Sequence, residues 1–497
     1  MFETAELGHH LSKQEYRKIE PDLRAQLLEA QYDLWKTGKF PVIVLISGVR
    51  GAGKGETVNL LLEWMDPRHI HTHAFDNPTD EELARPPMWR YWRALPPKGH
   101  IGILFGSWYT APIIDRVFGR IKQGHLAREI DEINHFERML ADEGALILKF
   151  WFHLGKTRQR KRLKAIEANP ETRWRITQRD WDFFTKYDRF YGVSEDVLKR
   201  TSTGWAPWIV VEGEDPAYRS VTAGQTLLQA MRKRLDAKPG GTSGRSVEAA
   251  PLATPVDNLY ILDTLDLTQK LAKAHYSRDL AKLQRRLALL TRHPRFAQHN
   301  VICVFEGMDA AGKGSAIRRL TTAIDARLYH TIPIAAPTDE EKAQPYLWRF
   351  WRHIPGKGRF TIYDRSWYGR LLVERIEGFC SEADWMRAYS EINEFEDQLT
   401  RTGSIVLKFW MQISKSEQLK RFTLREQTRF KQFKITREDW RNREKWREYQ
   451  AAAADMIERT SAANAPWTLV ESDDKYFARA KVLRTIVTAL ERRLGPS

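Results

Sequence analysis

The chain is 497 residues long and carries 80 Lys and Arg against 64 Asp and Glu, for a formal net charge of +16 and a pI near 9.6. That length calls for two or more domains. No apolar run approaches the roughly 18 residues of a membrane span, Met1–His10 has no basic-then-apolar leader, and Cys303 and Cys380 as the only cysteines exclude a disulfide scaffold or cysteine-rich zinc module and suit the reducing cytoplasm.

In chain order, the first half offers short apolar strands at Phe40–Ile46, Ile70–Phe75, Ile101–Phe105, Ala145–Trp151 and Trp208–Val211. Charged, helix-compatible segments separate them. A Gly-, Ser- and Pro-rich stretch then reads as a flexible linker over residues 238–255, leaving one domain at 1–237 and a second at 256–497. Beyond it, Asp279–Thr291 places Leu280, Leu283, Leu287 and Leu290 on one helical face. Further strands are expected at Val301–Phe305, Arg327–Ile332, Phe360–Tyr363, Ile405–Trp410 and Trp467–Val470. Short apolar strands alternating with helices predict an α/β fold whose parallel sheet is covered on both faces.

The two halves repeat each other. Gly48-Val-Arg-Gly-Ala-Gly-Lys-Gly returns 259 residues later as Gly307-Met-Asp-Ala-Ala-Gly-Lys-Gly. Thr79-Asp-Glu-Glu, Trp89-Arg-Tyr-Trp-Arg, Ser107-Trp-Tyr, Lys149-Phe-Trp and Pro207-Trp have counterparts at Thr338, Trp348, Ser366, Lys408 and Pro466, all at the same offset. A register held that far means a duplicated domain rather than a solenoid.

Each glycine-rich segment follows an expected strand and precedes an expected helix, the context a phosphate loop requires. Its glycines let backbone N–H groups converge on phosphate oxygens, and the helix N-terminus adds positive potential. In the second copy Gly307, Gly312, Gly314 and Ser315 are the phosphate-binding candidates, with Lys313 reaching the outer phosphates. The residue after the lysine is Gly55 or Gly314, so the hydroxyl that ordinarily holds Mg²⁺ is missing. Asp309 in the loop and Asp364 after the Phe360–Tyr363 strand are the carboxylates available instead. His69, His71 and His73 alternate, but their counterparts Leu328, His330 and Ile332 read as a partly packed strand, not a metal trio.

Glu306-Gly-Met-Asp-Ala-Ala-Gly-Lys-Gly, Tyr363-Asp-Arg-Ser-Trp-Tyr-Gly-Arg, Ile392-Asn-Glu-Phe-Glu, Lys408-Phe-Trp and Ala465-Pro-Trp resemble the polyphosphate kinase family 2. The tandem arrangement is similar to its class II members, of polyphosphate:AMP phosphotransferase type. The resemblance implies two thymidylate-kinase-like α/β/α domains with five-stranded parallel sheets and helical lids. It also implies Mg²⁺-dependent transfer from inorganic polyphosphate to AMP, giving ADP. Phosphorylation of ADP or of a broader range of nucleotides, an ATP-using nucleotide kinase, and a nucleic-acid-binding P-loop protein are the alternatives, with nucleic acid disfavoured as a partner. No membrane partner is expected. A homo-oligomer stays open, since two fused copies can replace a homodimer interface.

On this reading Asp309 and Asp364 hold the metal, Lys313 and Arg365 join them at the catalytic centre, and Arg370 contacts phosphate. The interval Lys415–Arg447, with twelve Lys and Arg against five Asp and Glu, is where a lid falls, and Arg421 and Arg425 share one of its helical faces. The copies are unequal: Arg50, Phe105, Gly106, Ala111 and Ile166 stand where the second copy has Asp309, Asp364, Arg365, Arg370 and Arg425. The first copy is therefore expected to be degenerate and the second catalytic.

Overall fold

The computed structural model describes residues 2–237, 261–429 and 432–495; the expected linker at 238–255 lies outside the described residues. Ten strands fall where the apolar runs place them, within a few residues. The first five are β1 (Val42–Gly48), β2 (Ile70–Ala74), β3 (Ile101–Phe105), β4 (Leu146–His153) and β5 (Trp208–Glu212). The second five are β6 (Asn300–Gly307), β7 (Tyr329–Pro333), β8 (Phe360–Asp364), β9 (Ser404–Gln412) and β10 (Trp467–Glu471). All pairings within each sheet are parallel, in the order β2-β3-β1-β4-β5 and, identically, β7-β8-β6-β9-β10. One start differs from expectation: Arg327 and Leu328 belong to a 3-10 turn, because the Asp325 side chain accepts from Arg327 N and delays β7 to Tyr329.

Two compact units result. One takes in residues to Pro78, Arg90 through 237, and Pro337–Arg349; the other takes in Thr79–Trp89, the described residues from 261 to Ala336, and the chain from Phe350. Within each, the loop-bearing strand, β1 or β6, is central and lies between partners that leave in opposite directions, so its carboxyl end opens on the crevice where such sheets bind ligands. Burial on both faces explains the unbroken apolar run: Val301 through Phe305 are wholly buried, and Phe305 stacks on Phe409 at 5.1 Å. The helix Lys475–Leu494 closes one face with Ala478, Val482, Ile486 and Leu490 at helical spacing, and the Asp474 carboxylate caps it. Val482, Ile486 and Leu490 each contribute about 1.5–3 kcal/mol by leaving water.

The paired Ser-Trp-Tyr and Lys-Phe-Trp motifs meet in a buried polar cluster that fixes a long helix, Gln123–Asp142 in the first unit and Glu382–Arg401 in the second, to the sheet. In the second unit Lys408 Nζ lies 2.7 Å from Glu396 Oε2 and donates to Tyr368 Oη (2.9 Å) and the Thr460 carbonyl (2.6 Å). Glu396 Oε1 accepts from Tyr368 Oη at 2.7 Å and Trp367 Nε1 at 3.1 Å. The first unit repeats this with Lys149, Glu137 (2.7 Å), Tyr109 (3.0 Å) and the Thr201 carbonyl (2.7 Å). Both lysines and both glutamates are buried, and a charge pair there persists only because its hydrogen bonds are filled.

Candidate functional site

In the second unit the chain leaves β6 through Gly307, whose φ of +139° and the Met411 carbonyl 2.4 Å from any added Cβ exclude other residues. It turns through Ala310 at φ +62° and starts the helix Lys313–Thr321 at Gly312, φ +107°. Lys313 folds back over the loop, its Nζ donating to the Gly307 carbonyl at 2.5 Å and the Met308 carbonyl at 3.3 Å. Burial, then the Arg365 charge, pushes its amine below the ordinary lysine range, while Asp309, Asp364 and Glu306 pull the other way. Lysine, arginine and three carboxylates therefore share one electrostatic neighbourhood.

Asp309 is held from two sides. Arg365 Nη2 donates to its Oδ1 at 2.9 Å, and Asn442 Nδ2 donates to its Oδ2 at 2.9 Å. Burial alone lifts a carboxyl, but here Lys313, Arg365 and the Asn442 hydrogen bond prevail and hold Asp309 below the usual carboxylate range. Arg365 follows β8 in a left-handed conformation, φ +63°. Asp364 ends β8 level with Phe305 in the register, and its Oδ2 lies 3.9 Å from where a Gly314 Cβ would stand. The loop and β8 thus bring Asp309, Lys313, Gly314, Asp364 and Arg365 together.

The remaining candidates are placed less uniformly. Arg421, on the helix Lys415–Gln427, spends its guanidinium on the carbonyls of Ala310 (3.0 Å), Ser472 (2.6 Å) and Asp473 (2.9 Å) and on Glu417 (2.9 Å), so it braces the loop from behind. Arg425, one turn on, is half-buried within electrostatic reach of Asp439 and Asp309. Arg370 sits in the short turn after β8, 2.9 Å from Glu374. Ser315 Oγ accepts from Arg479 Nε at 2.7 Å.

Gln418, Arg443 and Asn442 lie in no motif quoted above, and Glu306, which opens one, is not among the expected site residues. Gln418 Nε2 donates to the Asp309 carbonyl at 2.9 Å, and Arg443 donates to Gln418 Oε1 at 3.0 Å. Asn442 lies on the helix Arg437–Glu444, inside the expected lid. Glu306, buried at the end of β6 with its carboxyl raised by that burial, accepts from Ser366 Oγ at 2.8 Å. For Asn442 and Arg443 the available signal is replacement between the copies, where the first has Phe183 and Phe184, and Glu306 is likewise replaced by Ser47; Gln418 is kept as Gln159 and has no such signal.

The first unit keeps the loop without its acids. Lys54 Nζ donates to the Gly48 and Val49 carbonyls at 2.7 and 2.8 Å, and Gln159 donates to the Arg50 carbonyl at 2.9 Å. Arg50 faces the buried Asp180 at 3.1 Å, so the loop side chain is here the cation and the facing helix supplies the carboxylate.

Residues 10–239 and 270–495 match the family described as Polyphosphate kinase 2 (PPK2). A polyphosphate:AMP phosphotransferase of Pseudomonas aeruginosa is 57% identical over 99% of both chains. One of Pseudomonas syringae pv. tomato is 53% identical, covering 99% of this chain and 98% of that protein. A crystal structure described as a putative polyphosphate kinase 2 from Pseudomonas aeruginosa superposes with a TM-score of 0.89, at 54% identity over 99% of each chain. With both halves matched and the sheet order repeated in each, the chain belongs to the polyphosphate kinase 2 family.

Proposed function

We propose that this protein transfers the terminal phosphoryl group of inorganic polyphosphate to AMP, releasing ADP, at the loop of the second unit, with residues 256–497 as the catalytic domain and 1–237 as a non-catalytic copy. The observation that carries this is the grouping of Asp309 and Lys313 from the glycine loop with Asp364 and Arg365 from the end of β8, in a chain similar from end to end to proteins named for that reaction.

Phosphoryl transfer asks for positioned phosphates and balanced charge, with little covalent help from the protein. The loop N–H groups and Lys313, exchanging its carbonyl partners for phosphate oxygens, hold the donor, while Arg365 and Arg370 face the transferred group. An AMP phosphate oxygen attacks the terminal phosphorus, the bridging P–O bond breaks, and a chain one unit shorter leaves with the electron pair. The second pKa of a phosphate monoester is about 6, so AMP reaches neutral pH largely as the dianion and needs no strong base. Asp309, held ionised by its neighbours, is suited to positioning rather than to taking a proton.

Magnesium fits the donors present. Asp309 and Asp364 are hard oxygen ligands, and no group of three or more His, Cys, Asp or Glu lies close enough to hold a metal among the described residues. One or two carboxylates completed by phosphate oxygens is the set Mg²⁺ takes at phosphoryl-transfer sites. When bound it would supply positive charge to the phosphate oxygens. A cytoplasmic setting agrees with two free cysteines and with the finding that no described helix is long and apolar enough to cross a membrane.

The test is incubation of the purified protein with Mg²⁺, long-chain polyphosphate and either AMP or ADP, with the nucleotides resolved. AMP should become ADP, and a chelator should stop it. Failure of both nucleotides to gain phosphate, with ATP supporting transfer to another acceptor, overturns the proposal.

A further inference from the structure

The glycine loop of the first unit opens on a cavity of about 1040 Å³ that the transfer reaction of the second unit does not use. Five cationic side chains line it (Arg50, Lys54, Arg162, Arg175 and Arg179) against three carboxylates. Two of those carboxylates are already engaged: Asp180 lies 3.1 Å from Arg50, and Glu56 lies 2.7 Å from Arg219. The Arg175 and Arg179 guanidinium groups lie over the rings of Trp174 and Phe183, at 5.3 and 5.8 Å, and no carboxylate pairs with them among the described residues.

A second observation points into the same space. Gln159, only 4% exposed, lines the cavity and is fixed through its Nε2 to the Arg50 carbonyl, while its Oε1 has no partner among the described residues. In the second unit the equivalent acceptor is filled by Arg443 at 3.0 Å, and Phe184 stands in that place in the first. A buried acceptor left this way calls for a donor brought in with a ligand or its water.

The charge around the two loops differs in one direction throughout. Glu306, Asp309, Asp364 and Arg365 in the second unit become Ser47, Arg50, Phe105 and Gly106 in the first. Three acids and one base are replaced by a single base. The second loop needs an imported divalent cation before a polyanion can sit beside its acids, whereas the first carries that positive charge in its own side chains.

We propose that the first unit binds a phosphate chain in this cavity without a divalent cation and without turning it over. The loop N–H groups, Arg50 and Lys54 take the end of the chain, and Arg175 and Arg179 hold its continuation. Burial and the Arg50 charge bring the Lys54 amine down to about 7, and an anion beside it favours its protonated form. An inorganic polyphosphate and the tail of a nucleoside triphosphate present the same chemistry, so both are offered separately.

The experiment is equilibrium dialysis of the full-length protein against inorganic polyphosphate of defined length, and in a second arm ATP, with EDTA present throughout. One site per chain is expected for at least one ligand, and which ligand binds names its source. Arg50→Glu and the exposed double variant Arg175→Gln with Arg179→Gln should each weaken binding at least tenfold, and Arg50→Lys should retain it. Thermal unfolding checks that each variant is folded; the exposed pair keeps the test open if Arg50→Glu is not. No binding of either ligand in EDTA overturns the proposal, as does binding indifferent to both first-unit variants, which would be general surface charge. Magnesium-dependent ADP formation, followed in parallel, reports on the second unit alone and separates failure of one proposal from failure of the other.

Discussion

The two units turn left-handed at several equivalent places, and at two of them, one in the glycine loop and one after β3 or β8, the residues differ. The first unit has Gly51 at φ +79° and Gly106 at φ +77°, where glycine costs nothing; the second has Ala310 at +62° and Arg365 at +63°. A non-glycine residue in that region is strained by roughly 1–2 kcal/mol. Strain kept at a position is a sign that its side chain does something there, and Arg365 spends it on a 2.9 Å contact with Asp309. The first unit has lost the carboxylates and, with them, any reason to hold an arginine in that conformation. What it keeps is the sheet order, the lysine folded onto the loop carbonyls, and the glutamine bracing the loop from the helix opposite. On the proposed function, a duplicated domain has shed metal-dependent chemistry at a few positions while its fold stays the same.

The sharpest way to break this division is to disable the second unit. Lys313→Ala and Asp364→Asn should each lower ADP formation by about 100- to 1000-fold, the range for removing one preorganised charge or donor from a reacting site, with circular dichroism and the unfolding temperature unchanged. Activity within threefold of wild type in either variant would place the reaction elsewhere.

The next largest effect tests what the units share. Lys408→Met leaves Glu396 buried without its cation, and Lys149→Met does the same to Glu137. Each should cost about 3–5 kcal/mol in denaturant unfolding. A much smaller loss in one unit would show that the matching hydrogen bonds conceal unequal packing.

These pairings mark how far the sequence could be read. The ten strands were legible because burial on both faces writes itself as apolar runs, and the loop was legible because backbone approach to phosphate demands glycine at fixed spacing. Asp309, Lys313 and Asp364 followed from motif and position. Asn442 and Gln418 did not, since they meet Asp309 across 133 and 109 residues of chain, a separation with no local periodicity to betray it. Arg421 shows the reverse problem: a basic residue in an expected lid reads as a phosphate ligand, yet its donors go to the Ala310 carbonyl of the loop, the Ser472 and Asp473 carbonyls after β10, and Glu417. Sequence fixes which residues carry charge, but not which carbonyls are left for that charge to satisfy.

Arg365→Gly separates the strain from the contact. It should lower ADP formation at least tenfold while leaving stability unchanged or raising it by up to about 1 kcal/mol, because relief of the left-handed strain offsets the looser unfolded chain. Loss of stability with activity intact would reverse the interpretation of that residue as one kept for chemistry.

The smallest effects come from putting side chains back into the first unit. A Cβ at Gly51 would meet nothing closer than Arg162 Cγ at 3.7 Å, ordinary contact, whereas at Gly106 it would stand 3.1 Å from the Phe75 carbonyl oxygen, tighter than backbone readily allows. Gly51→Ala therefore carries only the backbone strain, partly offset by the stiffer unfolded chain, and should cost less than about 1 kcal/mol. Gly106→Ala adds the clash and should cost distinctly more, on the order of 1–3 kcal/mol. Parallel urea titrations order the two. Equal costs would mean that β3 and the chain leaving β2 can part by a few tenths of an ångström, and that the room Arg365 needs in the second unit comes from a flexible edge rather than from a backbone built to hold it.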